Sequence, residues 1–155
     1  MSVTIDDVTS AALVTTNLAA ADAAGAVDEL AALLEADGRI IDRAPFVAAV
    51  LAREEETGGT GMESGVAIPH AKSPAVARPS VAFGRSLRGI DFGAEDDTKA
   101  DLIFLIAAPE GEDDLHVTLL SRLARRLVHE QFRTSLREAQ TSEEVVGVIK
   151  KEVAL

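Results

Sequence analysis

Three histidines occur in 155 residues, and one of them, His70, stands directly behind a proline in the stretch GVAIPHAK, residues 65–72. A short apolar run, a proline and then an imidazole deliver a side chain that is neutral and nucleophilic near neutral pH to the end of a short strand. The fixed φ of Pro69 limits the angle at which that side chain arrives. His116 lies in EDDLHVTLL, residues 112–120, in the first turn of a helix that follows an apolar run. Open α/β sheets place their ligands beyond the C-terminal ends of strands. The two imidazoles are therefore candidates for one site at one sheet edge. His129, in LVHEQF, is expected to be a partly exposed histidine late in a long helix.

Several chemistries compete for His70. A serine hydrolase would need a strand–turn–helix elbow of the G-x-S-x-G type, and Ser64 in GMESGV lacks the first glycine. A zinc site needs a third well-placed ligand, and no HxH or HExxH spacing supplies one. No metal is expected. Cysteine is absent, which removes thiolate nucleophiles, thiolate metal sites and disulfides. What precedes His70 is a glycine-rich stretch, TGGTGMESG at residues 57–65, whose backbone N–H groups are candidates to surround an anion. Arg53 adds a planar cation suited to phosphate oxygens. A nucleophilic histidine, an anion-binding loop, an arginine and a second histidine point to phosphoryl transfer through a phosphohistidine.

The elements that must position these groups follow from periodicity. A strand-like piece runs from Ala12 to Thr15. Val27, Leu30, Leu33 and Leu34 recur at helical spacing between Gly25 and Asp37, and Gly38 ends that helix. Asp42 is the expected cap of a second helix, with Phe46, Val47, Val50 and Leu51 as its apolar stripe. Residues 57–65 are expected to be loop. Alternation around Val81 and Phe83 predicts a half-buried strand over Ser80–Ser86, and residues 89–101 an exposed turn region. The apolar run Leu102–Ala108 reads as a central strand buried on both faces. Glu112, Asp113 and Asp114 open the next helix at its positive end. That helix carries Leu115, Leu119, Leu120, Leu123 and Leu127, with Arg122, Arg125 and Arg126 in its C-terminal half. Thr141-Ser142-Glu143-Glu144 opens the last helix with a capping-box pattern. The sum is one α/β domain over residues 1–155, with helices covering a small sheet.

Charge narrows the partners. Twenty-six acids against 15 bases give a formal net charge of −11. Phosphate backbones and anionic membranes need basic surfaces, so neither nucleic acid nor a lipid surface is an expected partner. The acids are spread along the chain, which fits a well-solvated surface and equally an adaptation to high salt. No apolar run approaches the ~20 residues that span a bilayer. MSVTIDDVTS has no basic region of a secretory signal, so a cytoplasmic location is expected.

Residues 51–73, LAREEETGGTGMESGVAIPHAKS, resemble the signature of the enzyme IIA domains of the fructose/mannitol class of the bacterial sugar phosphotransferase system. The matching pieces are Arg53-Glu54, the loop Thr60-Gly61 to Gly65, and Ala67-Ile68-Pro69-His70. A second piece, Asp113 to Val117 around His116, resembles the family's other histidine motif. The resemblance implies a three-layer α/β/α fold on a mixed, roughly five-stranded sheet. It implies that His70 accepts a phosphoryl group on Nε2 from the carrier protein HPr, with Arg53 and His116 assisting. Thr60, Gly61, Ser64 and Gly65 would bind the phosphate, without a cofactor. The group would pass to a cysteine of an enzyme IIB domain and so to sugar, fructose being the first candidate, through the membrane component IIC. Regulatory enzyme IIA proteins of the nitrogen type, which control a transporter, kinase or transcription factor, resemble the chain nearly as well. A pure interaction module is the third reading, and His70 with Arg53 argues against it. Docking of either partner would need an apolar surround, expected from Met62, Val66, Ile68 and Leu115. Glu110, Glu112, Asp113 and Asp114 would form an acidic rim that steers a basic partner.

Overall fold

The computed structural model describes residues 4–111 and 115–154. A short helix α1 (Ile5–Val8) and a 3₁₀ turn (Ala11–Leu13) lead into β1 (Val14–Thr15), α2 (Ala23–Ala36) and α3 (Arg43–Thr57). Three short strands follow, β2 (Gly61–Met62), β3 (Val66–Ala67) and β4 (His70–Ser73), and then two long ones, β5 (Ser80–Ile90) and β6 (Ala100–Pro109). Helices α4 (Leu115–Leu127), α5 (Glu130–Glu138) and α6 (Ser142–Glu152) complete the chain. Among the described residues no helix is long and apolar enough to cross a membrane.

The sheet is mixed and six-stranded, in the order β1-β5-β6-β3-β2, with β4 also pairing β6. It has one strand more than the expected five or so. Strand β6 explains the three layers. Ile103, Leu105 and Ala107 join a core with Val27, Leu30, Leu34, Phe46 and Val50 of α2 and α3. Leu102, Phe104 and Ile106 join a second core with Leu119, Leu123, Phe132, Leu136 and Ile149 of α4 to α6. Successive side chains of a strand point to opposite faces, so one apolar run feeds both cores.

The same sandwiching corrects the reading of β5 as half-buried. Ser80 to Gly84 are buried on both faces, because β5 lies between β1 and β6 with a helical layer on either side. Its regular pairing also reaches Ile90, opposite Ala100, across an irregularity in register. Asp42 occupies the position before α3, but its side chain makes no capping bond. Glu35 of α2 accepts from the Arg43 N–H instead, at 3.1 Å. The cap of α6 is as expected at one end, Thr141 accepting from Glu144 N–H at 3.1 Å, while the Glu144 carboxylate reaches one residue further back, to Gln140 N–H.

His129 is not inside a long helix. Helix α4 stops at Leu127, and His129, in extended backbone, precedes α5. The Arg133 guanidinium donates to the carbonyls of Leu127 and Val128 at 2.8 and 2.9 Å. A cation on the last carbonyls of a helix stabilises its end.

Candidate functional site

Strands β3 and β4 are one parallel edge of β6 interrupted by a proline. Val66 lies opposite Leu102 and His70 opposite Ile106, so register is kept across the break. Pro69 has no N–H for the ladder, and only its carbonyl accepts from Ile106, at 3.0 Å. The carbonyl of Ile68 then serves the side chain of His70, whose Nδ1 lies 2.8 Å away. On the other side of the ring, Arg53 Nε donates to His70 Nε2 at 3.1 Å. A carbonyl only accepts and a guanidinium only donates. The two neighbours therefore assign one form of the ring: neutral, protonated at Nδ1, with the lone pair on Nε2.

His70 opens into a cavity of about 390 Å³ between the two helical layers. Helix α3 contributes Ala49, Ala52, Arg53 and Glu56; α4 contributes His116, Val117 and Leu120. His70, His116 and Arg53, singled out from the sequence, thus line the same cavity. Lys72, which sequence reasoning missed, lines it too. Its signal was present: strand side chains two apart share a face, and Lys72 is two residues from His70. Among the described residues its Nζ makes one long contact, 3.4 Å, to the carbonyl of Gly111.

The glycine-rich stretch behaves differently from the expected loop. Gly61 and Met62 form β2, antiparallel to β3, and the tight connection turns through left-handed Ser64 (φ 68°) and Gly65 (φ 81°). Several of its polar groups are already used. Gly61 N–H donates to the Phe92 carbonyl at 2.9 Å, Ser64 N–H to Asp96 at 3.0 Å, and Gly65 N–H to the Thr98 hydroxyl at 3.2 Å. The Thr60 hydroxyl donates to Glu54. Arg137 pairs with Asp101 and also donates to the Ser64 carbonyl. None of Thr60, Gly61, Ser64 and Gly65 lines the His70 cavity. The N–H donors of Gly61, Ser64 and Gly65 face the segment 92–98, which ties the stretch to that part of the sheet edge. A Cβ on Gly59 (φ 112°) would stand 2.0 Å from the Phe92 carbonyl oxygen, which shows how closely the two backbones cross. Glu54 pays for its place: burial pushes its carboxyl up, against the hydroxyl and backbone bonds of Thr60 and the pull of His70. Its second oxygen is buried without a hydrogen-bond partner among the described residues.

Residues 7–152 match the sequence profile of the phosphoenolpyruvate-dependent sugar phosphotransferase system, EIIA 2. The chain belongs to this family. A fructose-specific EIIA component of Haloferax volcanii is 43% identical over 129 residues, which cover 83% of each chain. A fructose-specific EIIABC component of Bacillus subtilis is 37% identical over 135 residues, 87% of this chain but 21% of that longer protein. The nitrogen regulatory protein IIA-Ntr of Neisseria meningitidis superposes with a TM-score of 0.82 at 28% identity, covering 90% of this chain and 94% of that one.

The apolar surround of this EIIA domain's histidine also differs from expectation. Val66 is buried in the second core, with Met62 and Ile68 packed against it. Around His70 the apolar lining comes from Ala49, Ala52, Ala71, Val117 and Leu120. Glu110 is exposed, while Glu112, Asp113 and Asp114 lie outside the described residues.

Proposed function

We propose that His70 of this EIIA domain is the phosphoryl acceptor of a sugar phosphotransferase relay. The observation that carries the reading is the ring's fixed form, with Nδ1–H held by Ile68 and the Nε2 lone pair turned to Arg53. The donor is the phosphohistidine of HPr. The Nε2 lone pair forms a bond to phosphorus as the donor's P–N bond breaks, and the donor nitrogen takes back that electron pair. In the second step a cysteine thiolate of an enzyme IIB domain attacks phosphorus, and Nε2 recovers its lone pair. Sugar is phosphorylated beyond this point, through IIC. The transition state is loose and spreads charge over three equatorial oxygens, so positioned cations and donors carry most of the catalysis. Arg53, Lys72 and His116 are placed to meet those oxygens. Both steps occur in the cytoplasm, and no metal is needed.

Fructose is the sugar of choice, supported by the names of the two fructose-specific relatives. The EIIABC name of one of them supports IIB and IIC as partners. The nitrogen regulatory reading has a close structural likeness behind it, but at lower sequence identity than the halobacterial sugar component. Incubation with phosphorylated HPr should give an acid-labile, base-stable phosphoprotein, and His70→Ala should abolish it. Uptake at the wild-type rate by the alanine variant would overturn the assignment.

A further inference from the structure

Both nitrogens of His70 trace back to consecutive residues of α3. Arg53 reaches Nε2 directly, at 3.1 Å. Glu54, the next residue, does not line the His70 cavity. It holds Thr60 instead, by the hydroxyl and by the backbone N–H. The Thr60 carbonyl accepts from Ile68 N–H at 3.3 Å. The Ile68 carbonyl in turn accepts from Nδ1–H of His70 at 2.8 Å. Contacts through Thr60 and Ile68 thus connect the carboxylate to the far side of the ring. Within the stretch 57–65 this connection passes through Thr60, not through the groups that face the segment 92–98.

The middle bond is the one that needs support. Thr60 and Ile68 stand one step beyond the last paired residues of β2 and β3, Gly61 opposite Ala67. The ladder stops there, because Pro69 has no N–H to continue it. A bond of 3.3 Å at the open end of so short a hairpin is weak by itself. Were Ile68 to turn, its carbonyl would leave Nδ1, and the ring could rotate or carry its proton on the other nitrogen. Holding Thr60 from α3 removes that freedom.

Stability supplies no reason for a carboxyl at this place. Burial raises it above its ordinary range, and its second oxygen is buried without a hydrogen-bond partner among the described residues. Polar groups kept in such surroundings are characteristic of functional sites. Arg53 and Glu54 also project from one helix, so a single rigid element sets both the cation at Nε2 and the geometry at Nδ1.

We propose that Glu54 is a positioning residue for phosphoryl transfer, fixing the nucleophilic nitrogen of His70 by way of Thr60 and Ile68. The proposal rests on the reading of His70 as the acceptor. Glu54 stays outside the cavity and acts through the ring. Its loss should therefore slow transfer within the complex and leave formation of the complex alone, since orientation is a property of the bound state.

The test is single-turnover transfer from phosphorylated HPr, by rapid quench over a range of HPr concentrations, which separates the saturating rate from the half-saturating concentration. Glu54→Ala and Thr60→Val should each lower the saturating rate about tenfold, inside the ~10²-fold that a misplaced reacting group costs. The half-saturating concentration should stay within twofold of wild type. Glu54→Gln keeps an acceptor and Thr60→Ser keeps a hydroxyl, so each should lie closer to wild type than to the Ala or Val variant. The double variant Glu54→Ala, Thr60→Val should be no slower than the slower single one, because both cut the same connection. Thr60→Val and Thr60→Ser carry the comparison if Glu54→Ala does not fold. Saturating rates within threefold of wild type in folded variants overturn the proposal, as do losses that add in the double variant or that fall on the half-saturating concentration alone. A Glu54→Gln variant as slow as Glu54→Ala would assign the effect to charge and overturn it too. His70→Ala, run beside them, keeps the two readings apart. Uptake by that variant at the wild-type rate removes the acceptor itself, whereas a silent His70→Ala beside fast Glu54→Ala and Thr60→Val removes only the positioning role.

Discussion

The stretch 57–65 and the cavity at His70 are separated by one short strand, and they treat their polar groups in opposite ways. In the stretch, the N–H groups of Gly61, Ser64 and Gly65 and the Thr60 hydroxyl all have partners inside the fold. In the cavity, Arg53 has the lone pair of His70 as its partner, and Lys72 makes one long contact. Glycine-rich composition therefore overstates how many donors the stretch leaves free. A donor that the fold has already satisfied must break a bond to serve a ligand, at a cost of about 0.5–1.5 kcal/mol net per neutral bond. Lys72, with one long contact to the Gly111 carbonyl, has less to give up.

The comparison predicts different failures on its two sides. The largest effect should come from the cavity. Arg53→Ala should slow phosphoryl transfer about 10²- to 10³-fold, the range seen when one transition-state donor is removed, with thermal unfolding nearly unchanged. Rapid-quench measurement of transfer from phosphorylated HPr would show it, and a rate within threefold of wild type would erase the distinction. The stretch should fail the other way. Gly59→Ala forces a Cβ against the Phe92 carbonyl at a left-handed φ, and strain of this kind costs of order 1–3 kcal/mol. Melting temperature should fall, while transfer per folded molecule stays close to wild type. A specific loss of transfer with intact stability would return the stretch to the site.

The smallest effect has the opposite sign. Burial raises the Glu54 carboxyl above its ordinary range, so the folded state holds that proton more tightly than the unfolded one. Stability from this group is present in acid and is lost as pH rises from the ordinary carboxylate value through the raised one. Glu54→Gln keeps an acceptor for Thr60 and removes the charge. It should raise the melting temperature at pH 7 by a few degrees at most and flatten the pH profile in that window. A lower melting temperature at pH 7 with an unchanged slope would mean that the charged bonds to Thr60 outweigh burial.

What the sequence disclosed was what neighbours in the chain decide. Proline before histidine, arginine on the preceding helix and a helix start at His116 are local signals, and His70, Arg53 and His116 do share a cavity. The two-layer burial of β6 was legible as an unbroken apolar run. The bonding of Gly61, Ser64 and Gly65 was not, because their N–H groups are claimed by Phe92, Asp96 and Thr98, some 30 residues away. The full burial of the first half of β5 was hidden for a similar reason. Small residues such as Ser80, Ala82 and Gly84 resemble a solvent face until a second helical layer covers them. The break before His129 depends on Arg133 turning back onto carbonyls it follows in sequence.

The bond from His70 Nδ1 to the Ile68 carbonyl also has an analytical consequence. A free imidazole exchanges its proton between two nitrogens and can be modified on either. Here one nitrogen is occupied by the backbone, so the ring should give two well-separated ¹⁵N resonances of a single tautomer. Phosphorylation should then yield one positional isomer, recognised by reagents raised against the τ form and invisible to those raised against the π form.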